Sequence, residues 1–292
     1  MTRIRSVDLA LTALAPAIWG SSYIVATEGL PAGYPLTIAC LRALPAGLLL
    51  LLLVRRLPTG IWWGRALVLG AFNFTFFWGL LFLAAFRLPG GLAATLGASQ
   101  PLLVVLLAWP LLGTAIRPGA VGAAVLGMAG VGLLVLAPGL VVDGLGVVAA
   151  LGGAVSMALG TVLTRKWGAN VPPLTLTAWQ MVAGGVLLVP AALLLEPAWP
   201  APTVGQALSL GYLGLIGAAV TYVLWFRGLA LLGPARASAL AFLSPLSAVL
   251  LGWGLLDQRP GPIQGVGMFL VVAGVVWSQR AGDVPQPKVR AA

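Results

Sequence analysis

The chain has 292 residues, 60% of them hydrophobic, with 16 basic and only 6 acidic side chains and a mean hydropathy of +1.06. Apolar stretches recur along its whole length, which marks an integral membrane protein with little or no soluble domain. The net charge of +10 does not point to nucleic acid, because Lys and Arg sit between the apolar segments rather than on one basic face. The single cysteine, Cys40, permits no intrachain disulfide and reads as a small packing residue.

A helix needs roughly 20 apolar residues to cross a bilayer. Cutting the chain at Pro, Gly and charge clusters predicts an all-α protein of ten spans. The first covers 9–28; its flank of Arg3 and Arg5 and the triplet Ala13-Leu14-Ala15 resemble a signal peptide. Pro16 would follow such a cut and the run stays apolar to Ala26, so it reads as a span. The others follow at 36–54, 66–86, 90–112, 118–137, 144–164, 174–194, 206–230, 235–256 and 262–279, joined by short connections. Residues 281–292 mix Pro, Gly and charge and read as a disordered tail.

The chain is also written twice. PLTIACLRALPAGLLLL (35–51) returns 138 residues later as PLTLTAWQMVAGGVLLV (173–189), and QPLLVVLLAWPLL (100–112) returns at an offset of 144 as SPLSAVLLGWGLL (244–256). Two five-span repeats are expected, 1–138 and 139–280. With the N-terminus in the cytoplasm, thirteen basic residues fall on the inner side (Arg55, Arg56, Arg165 and Lys166 among them) and only Arg87 and Arg259 on the outer. An odd span count per repeat then gives inverted topology, with both termini cytoplasmic.

These residues resemble the drug/metabolite transporter superfamily, in its EamA-type ten-helix branch. The carrying features are Trp19-Gly20-Ser21-Ser22-Tyr23, Pro35-Leu36-Thr37 leading to Arg42, the paired Pro101 and Pro245, and Ala273-Gly274-Val275 matching Ala129-Gly130-Val131. Within the branch the chain is most similar to bacterial amino-acid exporters of the YddG type. The resemblance implies a basket-like cavity lined by spans 1–4 and 6–9, with spans 5 and 10 peripheral, in a bacterial inner membrane.

Depth nominates the substrate site. Trp19, Ser21, Ser22 and Tyr23, Asn73, Phe77 and Trp78, Ser99 and Gln100, Tyr222 and Trp225, and Ser244 lie well inside their spans. Polar groups at that depth are expensive against lipid and should point inward, although a serine often bonds only its own preceding turn. Mid-span Pro101 and Pro245 should free the carbonyls of Gly97 and Ala241 and act as hinges, or be architectural kinks. Arg42 anchors a substrate carboxylate, or else snorkels outward or bonds carbonyls at helix ends. Its repeat mate is Gln180, preceded by Trp179. Trp62, Trp63, Trp167, Trp199 and Trp277 lie near span ends and read as an interfacial belt. Ala123-x-x-x-Gly127 and Gly261-x-x-x-Gly265 suggest close helix approach.

The predicted spans hold no Asp, Glu or His at depth, which disfavours proton coupling, metal chemistry and acid–base catalysis. No phosphate-cradling Gly-x-x-x-x-Gly-Lys-[Ser/Thr] loop is present, so no cofactor is called for. The expectation is a facilitative exporter of aromatic or neutral amino acids or related small metabolites, whose partners are that solute and the bilayer. Export of a nucleoside or cationic drug is the alternative, and a non-transporting scaffold a remote one.

Overall fold

The computed structural model describes residues 6–88, 96–135, 143–256 and 261–281, with the backbone alone at Tyr23, Thr27, Ala85 and Phe86. Every regular element among them is helical. Helix α1 is Ser6–Gly29 and α2 is Pro35–Val54. Helix α3 runs Trp62–Gly70, passes through a π-helical turn at Ala71–Phe76, and continues as Phe77–Arg87. Then come α4 (Gln100–Leu112), α5 (Pro118–Val135), α6 (Gly144–Trp167) and α7 (Pro173–Leu195). Helix α8 runs Val204–Gly214, takes a π turn at Leu215–Val220 and ends as Thr221–Leu232. Helix α9 is split into Pro234–Leu240 and Leu243–Leu256, and α10 is Pro262–Ala281. Eight of these are long and apolar enough to cross a membrane, while α4 and α5 are apolar but shorter. The start of the predicted fourth span (89–95) and the expected tail beyond Ala281 lie outside the described residues.

Sequence chemistry sets the ends. Proline opens α2, α5, α7 and α10 in the first turn, where its missing N–H costs nothing. The Asp143 carboxylate accepts from the Leu145 and Gly146 amides to start α6, and Thr203 with Gln206 forms a capping box on α8. Gly113 (φ 66°) stops α4, and Gly233 (φ 82°) turns the chain from α8 into α9; both are left-handed conformations that favour glycine.

Two pairs of equivalent helices, α2 with α7 and α5 with α10, pack on each other and run antiparallel. Gly47 of α2 faces Met181 and Val182 of α7, and its repeat mate Gly185 faces Leu44. The same exchange joins α5 to α10, where Gly130 faces Val271 and Gly274 faces Gly127. A methyl at any of these glycines would lie within about 3 Å of the opposite backbone, so glycine is what permits the approach. Ala123 and Gly127 therefore do lie at a close crossing. Gly261 and Gly265 do not, since a methyl on either would meet open space; Gly267 and Gly274 take that role. Around these pairs, α3 packs on α6 and α8 on α1, and α4 packs on α6 as α9 packs on α1.

The proline expectation needs correction. Pro101 and Pro245 stand in the first turn of Gln100–Leu112 and Leu243–Leu256, just after each helix begins, not in mid-helix. The chain turns at Ala241–Phe242, so the Ser244 N–H donates to the Ala241 carbonyl at 3.0 Å and that carbonyl is not freed.

Candidate functional site

The two π turns repeat at the same 144-residue offset as the proline blocks, and each faces the second helix of the other repeat. At α8, Arg42 of α2 donates from its guanidinium to the Gly217 carbonyl at 2.6 Å. Arg42 is only 7% exposed, so it neither snorkels to the surface nor serves a helix end; its target is the backbone of a π turn. The guanidinium also lies 4.7 Å over the Trp78 ring, an attractive placement over a π face. Ser22 of α1 borders the same spot beside Gly217, and its buried hydroxyl has no hydrogen-bond partner.

At α3 the mirror arrangement uses side chains. Asn73, the repeat mate of Gly217, donates at 2.8 Å to Gln180, the mate of Arg42, and at 3.1 Å to Thr164. Both amides are fully buried, and each keeps one polar atom without a partner: Oδ1 of Asn73 and Nε2 of Gln180. Gly160, the mate of Ser22, lies directly against the Asn73 side chain. Ser22/Arg42/Gly217 and Gly160/Gln180/Asn73 are thus one triad written in two chemistries, with small and large residues exchanged.

An aromatic stack links the triads. Trp78 and its repeat mate Tyr222 meet edge to face at 5.8 Å, and Phe74 lies 4.8 Å from Tyr222. Trp19 reaches Tyr222 at 5.0 Å and Trp225 at 5.1 Å, while its indole N–H donates to Thr221 at 2.9 Å. Trp78, Tyr222 and Trp225 are buried, so the arrangement is closed, with a π-rich floor under one cation and a pair of amides.

Not every predicted residue joins it. Ser21 bonds the Ile18 carbonyl and the Tyr212 hydroxyl, and Ser99 bonds the Leu96 carbonyl, the self-turn pattern of serine in membrane helices. Gln100 is buried at the start of α4 with its Nε2 unpartnered. Phe77 packs half-buried on the core, and the Ser244 carbonyl presses on Gly20. Trp179 turns away to the α2–α3 loop, donating to the Arg56 carbonyl at 2.7 Å and stacking on Trp62. The Tyr23 side chain lies outside the described residues. Sequence reasoning missed Gly217, Thr164, Thr221 and Phe74; counting 144 residues on from Asn73 would have found Gly217.

The EamA-like transporter family model matches residues 8–136 and again 144–279. The chain belongs to this family. EamA-type proteins are part of the drug/metabolite transporter superfamily, so the protein is a multi-pass membrane transporter of small molecules and not an enzyme, and the scaffold alternative falls. It is 41% identical over 264 residues to Protein PecM of Dickeya dadantii, covering 90% of this chain and 89% of PecM. It is 30% identical to the transporter YvbV of Bacillus subtilis (91% and 89% covered) and 29% to the inner membrane transporter YedA of Escherichia coli K12 (89% and 86%). A crystal structure 23% identical, covering 94% of this chain and 98% of its own, superposes with a TM-score of 0.78 and shares the fold.

Proposed function

We propose that this EamA transporter exports amino acids, aromatic or neutral, or closely related small metabolites, across a bacterial inner membrane. Ten spans form two five-helix repeats of inverted topology, residues 1–138 and 139–280, with both termini in the cytoplasm. The observation that carries the reading is the Arg42–Trp78–Tyr222 stack continuous with Trp19 and Trp225. The Arg42 guanidinium can leave a neutral carbonyl for a substrate carboxylate, a stronger charge-assisted partner. Aromatic rings suit an apolar or aromatic side chain. Ser22, Asn73, Gln100 and Gln180 each keep a buried polar atom unsatisfied, donors and acceptors available to a zwitterion's ends.

Antiparallel pairing of equivalent helices supports alternating access by rocking of the two repeats, with the breaks before Pro101 and Pro245 as hinges. Without an acidic residue or histidine placed within the described helices at depth, flux follows the solute's own gradient. Counterflow in proteoliposomes loaded with labelled amino acids tests this. Tryptophan, phenylalanine or leucine should exchange, and an Arg42→Gln variant should lose most of that exchange. An imposed pH gradient should leave the rate unchanged. Failure of every amino acid removes the substrate assignment, while exchange only under a pH gradient removes the facilitative one.

A further inference from the structure

The pseudo-symmetry that relates the two triads also relates the first turns of α2 and α7, and there the two repeats differ in what they hold. At α2, the Leu36 and Thr37 amides donate to the Glu196 carboxylate at 2.5 and 2.8 Å, and the Thr37 hydroxyl adds a third bond at 2.6 Å. Leu174 and Thr175 repeat Leu36 and Thr37 at the start of α7. Their amides belong to the first turn of a 23-residue helix, where no intrahelical acceptor exists. Pro172 at the cap offers no side-chain bond. The α2/α7 register puts the mate of Glu196 at Pro58, which carries no carboxylate.

An open groove of about 410 Å³ lies beside the start of α7, bordered by Leu57 and Thr59 on either side of Pro58 in sequence. Arg56, Thr59, Asn170 and Thr175 are on its wall with the paired indoles of Trp62 and Trp179, and no acidic residue lines it. Thr175 is 5% exposed and lines the groove, and among the described residues its hydroxyl makes no hydrogen bond. Trp179 fixes the Arg56 backbone through its 2.7 Å bond, holding that residue on the groove wall.

We propose that this groove binds an oxyanion, the carboxylate or phosphate group of a ligand, in the position that the protein's own Glu196 fills at α2. Two backbone N–H groups at a helix N-terminus, a threonine hydroxyl and a guanidinium are the donor set such a group takes. The same chemistry is offered by a free carboxylate-bearing solute and by an acidic phospholipid headgroup, because the site lies at the end of two membrane helices.

The test uses the full-length protein in nanodiscs of phosphatidylcholine, with thermal unfolding followed against acetate, inorganic phosphate and chloride at matched ionic strength. Acetate or phosphate should raise the Tm saturably above chloride. Thr175→Val and Arg56→Gln should each weaken the apparent affinity by about tenfold, the scale of one charge-assisted contact. Thr37→Val, whose hydroxyl already serves Glu196, should leave anion affinity as in the parent. Pro58→Glu should remove the response by supplying the carboxylate internally. Loss of the response in phosphatidylglycerol nanodiscs identifies the headgroup as occupant, and its persistence identifies a free solute. The proposal is overturned if acetate and phosphate act no differently from chloride, or if Thr175→Val and Arg56→Gln respond as the parent does.

Discussion

Gly160 and Asn73 show how a single position sets the chemistry of a repeat. A side chain at Gly160 would collide with the Asn73 amide, which cannot swing away because Thr164 and Gln180 hold it. In the other repeat the same two positions are Ser22 and Gly217, so the bulk has moved across the contact. Gly160→Ser should therefore destabilise the protein by about 1–3 kcal/mol through overpacking. Combining it with Asn73→Gly, which copies the Ser22/Gly217 pair, should recover much of the lost Tm. Thermal unfolding of the two single variants and the double variant checks this; additive losses would show that the two residues are not coupled.

Among the elements, α6 begins on a charged clasp that gives a pH signature. The Gly146 amide bond to Asp143 lowers its carboxyl below the ordinary aspartate range; desolvation opposes it, and the Arg87 side chain and the Leu145 amide add to the lowering. A group depressed on folding stabilises above its unfolded value and loses that contribution as pH falls through the folded one. The parent should thus lose Tm faster than Asp143→Asn below about pH 5, with the gap between them constant from there to neutrality. Parallel curves down to pH 2 would count against the clasp. The order of the helices, and their bounds apart from the start of the fourth, were legible because runs of apolar residues and Pro, Gly and Asp punctuation carry them. The π turns were not: AFNFTF and LIGAAV contain no breaker, and a π turn differs from an α turn only in which carbonyl each N–H finds. The Arg42 partner was hidden for the same reason, since a backbone carbonyl leaves no mark in sequence. The split of α9 was likewise unreadable, and with it the fate of the Ala241 carbonyl.

For the whole molecule, the two offsets of 138 and 144 residues relate almost every structural feature, from the glycine crossings to the triads. Two ion pairs correspond by element, though their residues are not at the offset positions. Asp8 near the start of α1 meets Arg227 of α8 at 2.6 Å, and Asp143 before α6 meets Arg87 of α3 at 3.1 Å. Each joins the beginning of one repeat's first helix to the third helix of the other, at opposite ends of the molecule if the topology is inverted. Both are made in this conformation, above a buried aromatic stack. Ion pairs this exposed contribute about 0–1 kcal/mol each, weak enough to break in turn under the alternating access proposed above. In a Cys40→Ala background, Asp8→Cys with Arg227→Cys joined by a short thiol-cleavable cross-linker should stop counterflow, and reduction should restore it. The Arg87→Cys, Asp143→Cys pair should behave identically, because alternating access needs each end to open once per cycle. Undiminished flux through either cross-linked protein would mean that the path does not pass between α1 and α8 or between α3 and α6.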